Sequence, residues 1–131
     1  MRFVCLVYID QAKMDAMTPE AGQQLIEATI EEDWALRRFG QLVLAQPPLE
    51  PQHARTLRAD GTITVGPFAE TREHLGGFTI IEAESMEAAL ALTATSPILK
   101  YGSIEIRPVL DQNHSQNGEA RPPLEPDPAR R

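Results

Sequence analysis

In residues 2–9, Arg2-Phe3-Val4-Cys5-Leu6-Val7-Tyr8-Ile9, apolar or aromatic side chains occupy odd and even positions alike after Arg2. A β-strand sends successive side chains to opposite faces, so a strand of this composition cannot leave one face to water and must lie in the middle of a sheet, covered on both sides. The run ends at Asp10. It is too short to span a bilayer and no small-residue cleavage site follows it, so a folded strand of a cytoplasmic protein is expected. Cys5 is the single cysteine of the chain. It cannot form an internal disulfide, and within an apolar strand it reads as a buried, inert thiol in a reducing compartment.

The 131 residues, 42% hydrophobic and 24% charged, suit one domain that folds without metal or disulfide. After the first strand, Thr18-Pro19-Glu20 supplies an N-cap, a proline for the first helical position and a carboxylate for the helix dipole. This predicts a helix to about Phe39 with Gly40 as its cap. Residues 41–46 form a second strand, stopped by Pro47, Pro48 and Pro51. Residues 54–65 divide at Asp60-Gly61 and predict a β-hairpin with a type I′ turn. Residues 78–83 are a further strand, Ser85 caps a helix that runs toward Pro97, and residues 103–109 are the last strand. From Asp111 onward, prolines, charges and small residues replace apolar ones, so residues 111–131 read as a disordered tail behind a domain of residues 1–110.

The order β-α-β-(hairpin)-β-α-β predicts an α+β ferredoxin-like sandwich, an antiparallel sheet with two helices on one face. The opposite face is then open. Since the first strand has no polar face, that open side is expected to pack against a second copy of the chain as a homodimer.

Between the hairpin and the next strand runs Val65-Gly66-Pro67-Phe68-Ala69-Glu70-Thr71-Arg72-Glu73, followed by Gly76-Gly77-Phe78. This segment resembles the signature of the DGPF branch of the YCII-related proteins, Asp-Gly-Pro-Phe-Ala-Glu-Thr-Lys/Arg-Glu and then Gly-Gly-Phe/Tyr. Val65 stands where that pattern has Asp. The resemblance covers roughly residues 1–110 and implies a ferredoxin-like fold akin to the dimeric α/β barrels, with the open sheet face as the dimer interface. The wider group is associated with a His–Asp pair proposed as a general acid/base unit, its His near the first helix, where this chain has none.

Candidate site residues follow from residue type and place. Leu25, Ile26, Thr29, Ile30 and Leu36 define an apolar helical face into which Asp33 falls. A carboxyl there must be hydrogen-bonded, paired or protonated, which marks functional sites. The alternative phase places Asp33 at the solvent edge beside Glu31 and Glu32. Trp34 borders the same face, as a pocket wall or as plain packing. His74 is the histidine of the signature segment and would serve as acid or base if it met Asp33 or Glu70; a solvated loop histidine is the other reading. Gly66-Pro67 fixes a bend that turns Phe68 inward and presents Glu70. Tyr8 and Asp10, on one face of the first strand, and Phe78 would line the same cavity. Glu105 and Arg107 share a face of the last strand as a charge pair.

A net charge of −7 argues against direct nucleic-acid contact and against an anionic membrane surface. The sequence has no Cys/His metal spacing, phosphate loop, dinucleotide fingerprint or nucleophile elbow, so no cofactor is expected. Two functions remain open. In one, a small organic molecule binds between the first helix, the sheet and the signature segment, where Asp33, Glu70 and His74 carry out cofactor-free proton transfer. In the other, the chain is a non-catalytic regulatory or sensing module with a protein partner in transcriptional signalling. The resemblance implies the latter because similar proteins frequently accompany extracytoplasmic-function sigma factors. Val65 in place of Asp favours the module; Asp33 favours the pocket.

Overall fold

In the computed structural model, which describes residues 1–45 and 49–121, strand β1 (Arg2–Asp10) is hydrogen-bonded along both edges. A short helix α1 (Gln11–Asp15) follows it directly, then α2 (Pro19–Arg38), β2 (Leu42–Ala45), the hairpin strands β3 (Arg55–Leu57) and β4 (Ile63–Val65), β5 (Glu73–Glu82), α3 (Met86–Thr93) and β6 (Gly102–Pro108). The main sheet is antiparallel with the order β2-β5-β1-β6, consistent with a ferredoxin-like fold, and β3 and β4 form a separate two-stranded sheet. As the apolar run of residues 2–9 requires, β1 is an interior strand.

The caps act as the sequence predicts. Thr18 Oγ1 accepts from Ala21 N at 3.1 Å at the start of α2. At its end Gln41 N donates to Leu36 O at 2.8 Å and Gly40 N to Arg37 O at 3.0 Å, the paired bonds of a Schellman ending built on Gly40. Ser85 Oγ accepts from Ala88 N at 3.1 Å and opens α3.

Besides α1, which the sequence signals did not place, three elements depart from the expectation. Strand β5 begins at Glu73, not 78, so His74 and the paired glycines lie in a strand and not in a loop. Its register slips between Val7 and Tyr8, which leaves Gly76 as the extra residue of a bulge. The β3–β4 turn spans residues 58–62, with Arg58 N bonded to Thr62 O at 2.8 Å and Gly61 N to Arg58 O at 3.0 Å. Gly61 alone takes positive φ there, so the turn is not type I′; the Asp60 carboxylate instead accepts from Thr62 N and Oγ1. Beyond the sheet, Asn113 bridges to Ala120 within the stretch read as a tail; residues 122–131 of that stretch lie outside the described residues.

The odd-numbered residues of β1 face α2 and α3. Phe3, Cys5, Leu42, Ile81 and Ala89 are fully packed there, with Leu36, Met86, Leu92, Ile104 and Ile106 around them. The even-numbered Val4, Leu6 and Tyr8 pair with Ile80, Phe78 and Leu75 on the other face, where all six are half-buried or exposed. Arg2 and Glu82 close that face at one end at 2.8 Å, and Arg107 pairs with Glu105 on it.

Gly102 pairs with Ile9, and a β-carbon at residue 102 would overlap the carbonyl group of Tyr8. Both groups belong to the main chain, so no side-chain rotation relieves the clash. Gly102→Ala is expected to destabilise the fold by about 1–3 kcal/mol in denaturant unfolding. Gly77→Ala, whose β-carbon meets nothing within 4 Å, should lose much less.

Candidate functional site

The half of the helix–sheet layer beyond Phe3 and Ile81 is not filled. A cavity of about 180 Å³ opens there between α2, the sheet and the segment that follows α3. Its apolar wall is Val7, Ile9, Leu36, Leu92, Ile98 and Ile104, and Gly76, Gly77 and Phe78 lie in its floor. The floor is low because two adjacent glycines of β5 bring no side chains to it. Glu32 and Asp33, consecutive on α2, both border this cavity.

Burial pushes the carboxyls of Glu32 and Asp33 above the usual carboxylate range. For Glu32 the neighbouring Asp33 charge adds to the rise, while a hydrogen bond with the Ser96 side chain partly offsets it. Asp33 is raised by burial alone. The expected apolar face of α2 is therefore real but rotated: Leu25 is buried, and Thr29 and Leu36 are half-buried, whereas Ile26 and Ile30 are exposed and Glu32 takes a place beside Leu36. Trp34 is 65% exposed and does not wall the cavity.

A second polar cluster sits where β1 ends. Asp10 is 3% exposed. Its Oδ1 accepts from Ala12 N at 3.1 Å, so it caps α1, and its Oδ2 meets Arg72 Nε at 3.1 Å. Burial alone would raise this carboxyl, but the Arg72 guanidinium and the backbone N–H groups of Lys13 and Ala12 outweigh it and hold it below the ordinary range. Next to it, His74 Nε2 lies 2.8 Å from Gln11 Oε1. The Gln11 amide nitrogen is committed to Asp15 Oδ1, so the oxygen accepts from Nε2–H, and Nδ1 is buried without a partner. Ser103 Oγ donates to Glu73 Oε2 at 3.1 Å alongside.

Of the residues expected to form one site, Asp33 borders the cavity, Phe78 touches it from a strand position paired with Leu6 of the opposite sheet face, and the others do not join them. His74 meets Gln11, not Asp33 or Glu70. Glu70 is exposed. Tyr8, half-buried, pairs with Ser103 and Leu75 on the sheet face away from the cavity. Gly66 closes the hairpin, its N–H donating to Ala54 O at 2.9 Å and its carbonyl accepting from Thr56 Oγ1 at 3.0 Å, and Pro67 follows half-buried. Phe68 does not turn inward: it is 77% exposed, with the Arg58 guanidinium 5.1 Å from its ring centre. Val65, which stands where the resembled signature has Asp, is also exposed, at the end of β4.

Glu32, Ser96, Gln11 and Arg72 were not among the sequence candidates. Glu32 had a signal, since it stands seven residues after Leu25 and four before Leu36 and so shares their helical face. Gln11 and Arg72 had none, because each meets its partner only through the fold. Among the described residues, no three or more His, Cys, Asp or Glu side chains are grouped to share a metal ion, and no helix is long and apolar enough to cross a membrane.

A carboxyl whose folded-state pKa is raised favours folding fully below its unfolded pKa and loses that contribution as pH rises through the folded value. Asp33→Asn removes this loss. The melting temperature of the variant should equal that of the parent near pH 3.5 and exceed it by an amount that grows toward pH 7, as read by thermal denaturation across that range.

Comparison with known proteins places the chain among similar sequences. The family model of the YCII-related domain matches residues 1–113. An uncharacterized protein of Rhizobium meliloti (strain 1021) is 29% identical over 114 residues, covering 83% of this chain and 92% of the relative.

Proposed function

The chain belongs to the YCII-related family, and on that premise we propose that it binds a small organic molecule in the cavity between α2, α3 and the sheet, with Asp33 as the proton-transferring group. The observation that carries this reading is the pair Glu32 and Asp33 as the charged groups of a wall otherwise made of apolar and hydroxyl side chains. A carboxyl with a raised pKa is a better match for acid/base work near neutral pH than a solvated one. Ser96 favours the charged form of Glu32, whereas Asp33 takes part in no side-chain hydrogen bond among the described residues, so Asp33 is the carboxyl free to exchange a proton with a ligand. No cofactor enters this proposal. His74 and Glu70 have no assigned role in the transfer, His74 because Gln11 engages it and Glu70 because it stands in solvent.

The finer placement is also part of the proposal: a cytoplasmic protein of the DGPF branch that works as a homodimer through the face carrying Val4, Leu6, Phe78 and Ile80. Burying apolar surface stabilises by about 25 cal/mol per Å², and these side chains supply such a surface on the side opposite the helices. Leu6→Arg puts a charge in its middle. Sedimentation analysis should then find a dimer for the parent chain and a monomer for the variant; two species of equal mass would refute this interface.

The hairpin favours a second reading, a sensing module with a protein partner such as an extracytoplasmic-function sigma factor system. Leu57, Ile63, Val65 and Phe68 are all exposed on it, and contiguous exposed apolar side chains mark protein-interaction surfaces.

One screen separates the readings. A ligand bound by the folded state raises the melting temperature by linkage. Metabolites that stabilise the parent chain and not Asp33→Asn are the expected outcome for a cavity ligand. A library without a single hit on either protein would leave the module as the working account.

A further inference from the structure

Resting on the reading of this cavity as a ligand site, we propose that its ligand is a compact organic cation, a protonated amine carried on an apolar body of about one ring. The argument begins with what the wall lacks. Among the residues that border the cavity there is no Lys, Arg or His, and the charged groups are Glu32 and Asp33. An anionic ligand would meet two like charges in a partly dry site and find no compensating cation.

The neutral donors of the wall are also spoken for. Thr29 Oγ1 donates to Ile26 O at 2.8 Å, and Thr93 Oγ1 donates to the carbonyls of Ala89 and Leu90 at 3.2 and 3.1 Å. The Ser96 side chain lowers the pKa of the Glu32 carboxyl and that of Thr79 lowers the pKa of the Cys5 thiol, so each hydroxyl is directed to a neighbour within the wall. The strongest acceptors of the wall are the two carboxylates, so the best-matched partner is a donor, and a positively charged donor satisfies hydrogen bond and charge together. Asp33 takes part in none of the side-chain hydrogen bonds found among the described residues.

Size and shape fix the rest of the ligand. The cavity measures about 180 Å³, and an apolar cavity of about 150 Å³ holds benzene. A phenyl or cyclohexyl ring fits against Val7, Ile9, Ile98 and Ile104, with its amine turned toward α2. Gly77 faces the same space, since a β-carbon there would meet nothing within 4 Å. The net charge of −7 draws cations toward the molecule before they reach the site.

The test is calorimetric titration of the full chain at pH 7 with benzylamine, benzyl alcohol and benzoate, three probes of nearly one shape that differ in charge. Benzylamine is expected to bind roughly tenfold or more tightly than benzyl alcohol, the difference between a charged and a neutral hydrogen-bond partner, and benzoate not at all. Asp33→Asn and Glu32→Gln should each weaken benzylamine toward the alcohol and leave the alcohol unchanged, and Gly77→Val should abolish both by filling the floor. Equal binding of amine and alcohol, tighter binding of benzoate, or amine binding that survives Gly77→Val overturns the cation assignment, while binding of any probe that Gly77→Val abolishes preserves the cavity as a ligand site. If no probe binds the parent chain, the ligand-site reading falls together with the cation.

Discussion

Everything in this molecule hangs on β1 being held from both edges and packed on one face against α2 and α3. Its backbone pairs with β5 on one side and β6 on the other, so the chain's first strand is anchored by two of its last three elements. Such pairing is non-local: loop-closure entropy must be met before the contacts reward it, and the apolar residues of β1 are what repay it. The helices are then positioned by what β1 presents. Phe3 and Cys5 gather α3 and the end of α2 into a packed core, whereas Val7 and Ile9, farther along the same face, look onto glycines and an unfilled space. One strand thus specifies the rigid half of the layer and the hollow half.

The two polar clusters show how position on that strand decides chemistry. At the end of β1, Asp10 is buried but fully engaged by a helix N-terminus and a guanidinium, so it stays charged and acts as a structural tie between β1, α1 and the segment before β5. Glu32 and Asp33 are less buried than Asp10 yet have fewer partners, and their carboxyls shift the other way. Engagement matters more than depth. By that measure Asp10 belongs to the architecture, whereas Asp33 borders the cavity with no partner to hold its charge among the described residues.

Much of the fold was legible in the sequence because its signals are local. Thr18-Pro19, Ser85 and Gly40 act through bonds within a turn or two of themselves, and the unbroken apolar character of residues 2–9 leaves few places in a sheet. The start of β5 was obscured by its Gly-Gly pair, which weakens strand propensity, yet pairing with β1 overrides it there. The site was half legible. Asp33 stands out against its apolar neighbours, but the helical phase drawn through Ile26 and Ile30 is rotated from the true one, drawn through Leu25, Leu36 and the aliphatic stem of Glu32. Phe68 misled for a similar reason: a large aromatic after Gly-Pro reads as an anchor, while in the fold its ring pairs with Arg58 on the hairpin surface.

The bulge at Gly76 separates the two halves of β5 into different parities. After it, Gly77, Thr79 and Ile81 share the helical side with Val7, Cys5 and Phe3; before it, the extra residue makes His74 rather than Leu75 the partner of Ile9. A strand without that insertion would send Leu75 toward the helices and His74 to the opposite surface. The signature segment can therefore be read in one frame and the core in another. A single backbone residue acts as a frame-shift between them, which frees sequence change ahead of Gly76 from the alternation that the core imposes behind it.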